Sequence, residues 1–301
     1  MEKFKSGFVS IIGRTNVGKS TLINSLVGEK IAITVDKSQT TRTLIRAIVN
    51  RPNSQIIFID TPGIHKPKTK LGEIMNESAW QAIPDSDITL FIVDGTENKI
   101  GKGDKLILEK IKEKKKKALL IINKIDLIKK EKILELIELY NNEYKFEEII
   151  PISALNGKSA EIILDKIECH LPNGVAYYDI DEYTDQTERQ LVEEVIREKA
   201  LKLLDEEVPH GIFVEVDKMN IRKTSKQEEI YDIEAIIYVL RNSHKGIVIG
   251  KEGQMLKRIG TYARKDLEKM LGIKINLKLW VKVKENWQDN NNILKRFRSD
   301  Y

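Results

Sequence analysis

Cysteine is all but missing: Cys169 is the only one in 301 residues. One thiol cannot close an internal disulfide, so nothing argues for an oxidising compartment, and the expected role is that of a half-buried small residue. Also missing is any apolar run of the roughly 18 residues that a membrane-spanning helix needs. The N-terminus enters a polar-flanked strand pattern without a signal-peptide signature. The protein is therefore expected in the cytoplasm, with membrane contact at most peripheral. No internal repeat is visible, and the low hydrophobicity of a disordered chain is absent, since 41% hydrophobic and 32% charged residues make a globular composition. Acidic residues are scarce in one place. From His244 to Lys284 there are 3 Asp or Glu against 11 Lys or Arg, a local net of +8 in a chain whose total is +5, so the remainder sums to −3. An anionic partner is expected for that stretch.

What is present divides in two, as a chain longer than the roughly 250 residues of one large core should. The first half alternates short β-rich runs with helical patterns. Candidate strands are FVSIIG (8–13), TLIRAIV (43–49), QIIFID (55–60), ITLFIVD (88–94), ALLIIN (118–123) and EEIIPIS (147–153). Most are continuous apolar runs, which suits buried, largely parallel strands; TLIRAIV reads as an antiparallel edge. The expectation is an α/β domain, mostly parallel sheet with helices on both faces, over residues 1–171. Residues 172–187, rich in turn formers, Tyr and Asp, read as an interdomain linker. Thr187 and Gln190 have capping-box spacing and open an amphipathic helix. Two strand-like segments follow (211–219 and 231–241), then a Gly-punctuated basic segment, a helix and a final strand INLKLWVKVK (275–284). The second, α+β domain is placed at 188–285 and a tail at 286–301. The lysine run 114–117 reads as the end of a surface helix.

Gly13-Arg14-Thr15-Asn16-Val17-Gly18-Lys19-Ser20 matches the P-loop pattern, follows a strand and precedes the helical run beginning at Thr21. Glycines let backbone N–H groups wrap a phosphate, the helix N-terminus adds its dipole, and Lys19 supplies a cation for the β- and γ-phosphates. Ser20 is placed to ligate Mg²⁺. Asp60-Thr-Pro-Gly63 puts a carboxylate at a strand end, where a Mg²⁺-linked aspartate belongs. Asn123-Lys124-Ile-Asp126 follows another strand. The Asp126 carboxylate can accept from guanine N1–H and its exocyclic amine, whereas adenine presents a lone pair at N1. Asn123 is expected to tie loops together, the stem of Lys124 to lie on the purine, and Ser153-Ala154 to offer N–H to guanine O6. The nucleotide is therefore GTP or GDP.

These motifs resemble translation-factor-related small GTPases. That resemblance implies a threonine closing over Mg²⁺ and the γ-phosphate, Thr41 in Gln39-Thr40-Thr41-Arg42 with Thr40 the alternative, and mobile switches there and from Ile64 to about Trp80. Lys19, Thr41 and Gly63 are the candidates for catalytic contacts. Ile64 stands where many GTPases carry a water-orienting glutamine, which predicts slow intrinsic turnover. Asn16 resembles the residue with which some relatives recruit K⁺. In the second domain, Gly250-Lys251-Glu252-Gly253 resembles the GXXG loop of a KH module, and the element order fits the type II KH topology. Candidate RNA contacts are Ile249, Gly250, Lys251, Gly253, Lys257, Arg258, Arg264 and Lys265. Glu252 would oppose phosphate unless it turns outward. Trp280 and Trp287 are either base-stacking groups or, for Trp280, part of the core.

Taken together, Asn16 in the P-loop, QTTR, DTPGIHKPK, NKID, EEVIREKAL, GIVIGKEG and LWVKVKENW occur in the order seen in the Era family of ribosome-assembly GTPases. This resemblance covers nearly the whole chain. It implies a monomer that binds the 3′ end of 16S ribosomal RNA during 30S subunit maturation and is released by GTP hydrolysis, with peripheral membrane attachment as a family trait.

Overall fold

The computed structural model describes residues 3–298 apart from 36, 38, 39, 158, 224 and 226, so Gln39 of the QTTR motif lies outside the described residues. Two units separate: residues up to Ala32, Thr41–Asp185 and the stretch from Lys295 form one; Ile33–Thr40 and Gln186–Leu294 form the other.

The first unit is built on β1 (Lys5–Ile12), β2 (Ile45–Arg51), β3 (Ser54–Asp60), β4 (Ile88–Asp94), β5 (Lys117–Asn123) and β6 (Glu148–Pro151), in sheet order β2-β3-β1-β4-β5-β6. Only β2 runs antiparallel, pairing Ile45 with Asp60 through Arg51 with Ser54. Strands covered on both faces cannot alternate polar and apolar residues, and β3 is buried at every position. Helices α1 (Lys19–Val27), α2 (Lys70–Gln81), α3 (Lys102–Lys114) and α4 (Lys130–Glu143) connect the strands, and α5 (Ala160–His170) follows β6. One apolar cluster gathers Val9, Ile11, Ile56 and Phe58 with α1 and α5; another gathers Ile12, Phe91 and Leu120 with α3 and Tyr140. Burying each such side chain is worth about 1.5–3 kcal/mol. The lysine run ends α3, with Lys115 left-handed at its C-cap.

One expectation changes. Cys169 is exposed rather than half-buried, because the inward face of α5 is taken by Ile163, Leu164 and Ile167 and the last turn points 169 outward. Residues 172–185, within the segment read as a linker, are hydrogen-bonded along the first unit. Ser6 N–H donates to the Pro172 carbonyl, Ile48 N–H to that of Tyr183, and Gln55 Oε1 accepts from the amides of Tyr177 and Tyr178 at 2.6 and 3.0 Å.

In the second unit, α6 (Glu188–Leu203) is closed by the capping box: Thr187 Oγ1 accepts from Gln190 N–H at 3.3 Å and Gln190 Oε1 accepts from Thr187 N–H at 2.9 Å. There follow β7 (Phe213–Lys223), β8 (Glu229–Val239), α7 (Asn242–Ile249), α8 (Gln254–Leu271), β9 (Lys274–Val283) and the short α9 (Asn291–Leu294). β7 starts two residues later and ends four residues later than the predicted 211–219, and β8 lies two residues earlier than the predicted 231–241. β8 pairs antiparallel with β7 and parallel with β9, giving the α-β-β-α-α-β order of a type II KH domain. Its core joins Val192, Ile196, Ile237, Ile259, Ala263 and Leu267. Trp287 is fully buried, donating Nε1–H to the Gly211 carbonyl at 2.9 Å with its ring 4.6 Å from that of Phe213. It is a core residue, not a stacking platform. Trp280 is the reverse, 42% exposed, because α8 covers the other face of β9, where Ile275 and Val281 are buried.

Candidate functional site: a nucleotide cradle and a basic GXXG face

Four strand ends bring the first unit's motifs together. Residues 13–18 run from β1 to α1, with Asn16 exposed and left-handed (φ 63°). Lys19 is buried and donates to the carbonyls of Gly13 at 3.1 Å and Arg14 at 2.8 Å. Burial pushes its ammonium down to about 8, with the Asp60 carboxylate pulling the other way. Ser20 Oγ lies 3.1 Å from Thr41 Oγ1 and 3.2 Å from Asp60 Oδ2, and Thr41 Oγ1 donates to the same Asp60 oxygen at 3.2 Å. Adjacent ligands of an octahedral ion with bonds of about 2.1 Å sit about 3.0 Å apart. Three hard oxygens, one anionic, therefore match a Mg²⁺-sized cation. Thr40 contributes differently: its carbonyl accepts from the Arg197 guanidinium.

Gly63 reaches the phosphate loop from β3. A Cβ there would come within 2.8 Å of Thr15 Cα, so no other residue fits without displacing the loop. Next to it, Ile64 N–H donates to the Gly13 carbonyl at 3.1 Å while its side chain, 4% exposed, joins the core of Ile12, Phe91 and Val93. His65 is held in place: its Nδ1 is 2.8 Å from the Gly63 carbonyl oxygen, and its own carbonyl accepts from Asn76 Nδ2 at 2.7 Å.

At the base end, Asn123 links two loops. Its Nδ2 donates to the Val17 carbonyl at 2.8 Å and its Oδ1 accepts from Ala154 N–H at 2.9 Å. Lys124 is left-handed at φ 64° and donates to Asp94 at 2.6 Å. Asp126 is exposed in the single turn after Lys124, while Ser153 and Ala154 are buried at 6% and 7%. Arg14 contributes only main chain to the cradle, because its guanidinium is bound to Asp104 at 2.9 Å and Glu97 at 3.2 Å. Thr21 is half-buried on α1. Sequence reading missed Asp94 and Thr61. The Thr61 hydroxyl, fully buried, donates to the Ile11 carbonyl at 2.6 Å. A carboxylate ending the strand beside NKID was the available signal for Asp94.

In the second unit Gly250 holds φ 72°, ψ 177°, a region open essentially to glycine, and a Cβ would meet Met255 Cβ at 2.7 Å. The chain thus turns sharply between α7 and α8. Ile249 and Gly253 are half-buried beside it, and Lys251, Lys257, Arg258, Arg264 and Lys265 are exposed. The seven-residue spacing of 257 with 264 and 258 with 265 sets these cations on one face of α8, opposite buried Ile259, Ala263 and Leu267. Glu252 is also exposed, at φ 50°.

Comparison with known proteins agrees with this geometry. Residues 8–124 match a family described as 50S ribosome-binding GTPase, and residues 207–288 match the KH domain. The chain is 51% identical over 295 residues to GTPase Era of Clostridioides difficile strain 630, covering 98% of each chain. It is 49% identical over 293 residues to that of Caldanaerobacter subterraneus subsp. tengcongensis, covering 97% of each. Among solved structures it is similar to Era in complex with MgGDPNP and nucleotides 1506–1542 of 16S ribosomal RNA, with 40% identity, a TM-score of 0.93 and 98% of each chain covered. A single-residue variant of Aquifex aeolicus Era bound to GDP.AlF4⁻ gives 39% identity, a TM-score of 0.92, and coverage of 98% of this chain and 99% of that one. A P-loop GTPase domain with a mostly parallel sheet, a KH domain following it in the chain and identity of this extent over both make the chain a member of the Era family of GTPases.

Proposed function

We propose that this GTPase is a switch that binds the 3′ end of small-subunit 16S ribosomal RNA through its KH domain and assists 30S subunit assembly, with hydrolysis timing its release. The observation that carries this reading is the end-to-end likeness to an Era structure held with 16S nucleotides 1506–1542. The exposed cations along α8 next to a glycine-enforced turn support it. Gly250 and Gly253 let the RNA backbone approach closely, and Ile249, Lys251, Lys257, Arg258, Arg264 and Lys265 line its path.

On the nucleotide side, the N–H groups of residues 13–18 wrap the phosphates, Lys19 balances β- and γ-charge, Thr21 flanks the α-phosphate and Gly63 N–H meets the γ-phosphate. Ser20, Thr41 and Asp60 are the residues that would hold Mg²⁺, which supplies charge neutralisation at the phosphate oxygens. Asp126 reads the guanine edge, the stem of Lys124 lies along the ring, Ala154 N–H faces O6, and Asn123 and Ser153 set the loop that presents it. With an apolar side chain at Ile64 turned into the core, no side chain at that position orients the attacking water, and intrinsic turnover is slow. Asn16 is the candidate to recruit K⁺; equal hydrolysis rates in KCl and NaCl would remove that role. The reading uses a GTPase domain at 1–171, a linker at 172–187, a KH domain at 188–285 and a tail at 286–301, in a cytoplasmic monomer with at most peripheral membrane contact. Among the described residues no helix is long and apolar enough to cross a membrane.

The test is binding of a short single-stranded 3′ 16S fragment, followed by fluorescence anisotropy with GTP and with GDP over a salt series. Affinity should differ between nucleotides and fall steeply with salt, as release of counterions requires. Equal affinities with a flat salt dependence would overturn the reading.

A further inference from the structure

Lys124 sits just beyond β5 at φ 64°, ψ 34°, a conformation a lysine keeps only where its surroundings hold it. The restraint comes from the neighbouring strand. β4 and β5 are parallel with Asp94 opposite Asn123, so the last residue of β4 faces the turn that carries Lys124. Asp94 Oδ2 accepts from Lys124 Nζ at 2.6 Å. The other carboxylate oxygen accepts from the Thr96 amide at 2.9 Å and the Thr96 hydroxyl at 2.7 Å, which fixes the carboxylate's rotation. Gly95 N–H, in the same turn, donates to the Asn123 carbonyl at 2.8 Å. Burial pushes the Asp94 carboxyl up, but hydrogen bonds from Lys124 and Thr96 outweigh it and leave the group below the ordinary carboxylate value. Asp94 is therefore an oriented anion whose second oxygen is committed to one lysine.

We propose that Asp94 is a positioning residue for guanine-nucleotide binding: by anchoring the Lys124 ammonium it lays the lysine's aliphatic stem in the place where the purine face rests. The inference rests on the reading of Lys124 given above. A lysine stem left to itself samples many rotamers, and binding then has to order it; tethering its tip removes that cost beforehand. Because a stem touches the face of a purine and not its polar edge, the gain is the same for guanine and for hypoxanthine, which lacks the exocyclic amine.

The experiment follows dissociation of a fluorescent ribose-labelled GDP from the full chain carrying Asp94→Ala, Asp94→Glu, Lys124→Ala or both alanines. Lys124→Ala should speed release about tenfold by taking the stem off the purine face, and Asp94→Ala by a similar factor, the cost of ordering one long side chain on binding. The double variant should release no faster than Lys124→Ala alone, Asp94→Glu should recover most of the slow rate, and the ratio of GTP to ITP affinity should not change in Asp94→Ala. Additive effects in the double variant, or parental release from Asp94→Ala while Lys124→Ala is fast, would overturn the proposal. Parental release from Lys124→Ala would instead remove the reading of Lys124 on which it stands. Asp94→Glu keeps the test decisive if the alanine variant melts early.

Discussion

The nucleotide cradle and the basic face of the KH domain handle charge in opposite ways. In the cradle, Lys19, Ser20, Thr41 and Asp60 are all 9% exposed or less; hydrogen bonds among Ser20, Thr41 and Asp60, and from Lys19 to the Gly13 and Arg14 carbonyls, set their geometry. Charges taken out of water interact strongly, but each must be matched or it costs more than it returns. Along α8 the cations stand in solvent, where each contributes little alone, salt screens them, and several act by summed counterion release. The first site should be exacting and brittle. The second should be tolerant and tunable.

The sharpest break comes from Asp126→Asn. A site built to accept two donors from guanine rejects a mismatched edge strongly, so GTP affinity should fall about 10³-fold while xanthine nucleotide binding rises, and calorimetry with both nucleotides measures it. Unchanged GTP affinity would remove the base-reading role. Next in size is Trp287→Ala, which empties a fully buried ring site and loses the bond to Gly211. A loss of about 3–4 kcal/mol in the unfolding of the KH domain is expected by denaturant titration, with GTP binding intact. Gly250→Ala should cost about 2 kcal/mol of the same stability, because alanine is strained at φ 72° and its Cβ collides with Met255. If thermal melts place this variant level with the parent, the turn is less constrained than its geometry requires. The smallest effect belongs to Lys257→Gln, which should lower the slope of log affinity against log salt by about 1 and leave nucleotide affinity alone. A slope unchanged by this and by Arg258→Gln would take α8 out of the RNA interface.

The same contrast governs what could be read beforehand. P-loop, DTPG and NKID are legible because parallel strands deliver their ends to one edge, so each chemical group follows a recognisable apolar run; the mostly parallel sheet and the antiparallel β2 followed from those runs. Asp94 was marked in the sequence only by ending the ITLFIVD run; its role lies in the cross-strand pairing with the end of β5, and a strand end alone does not say which turn it faces. The hydrogen bonding of 172–185 along the first unit was not legible for a related reason: Gln55, within a strand buried on both faces, turns its amide to two distant tyrosines, and composition alone makes such a segment look like a loose connector. Alternation along β9 left Trp280 open, and α8 decided it. A helix periodicity does not by itself say which of its sides meets the core, hence the exposed Cys169.

Ile64 carries a mechanical consequence. Its amide is hydrogen-bonded to the P-loop and its side chain is locked among Ile12, Phe91 and Val93, so it acts as the fulcrum of the downstream segment. In this arrangement the segment from His65 onward is joined to the phosphate loop through Ile64, with Gly63 packed directly against Thr15.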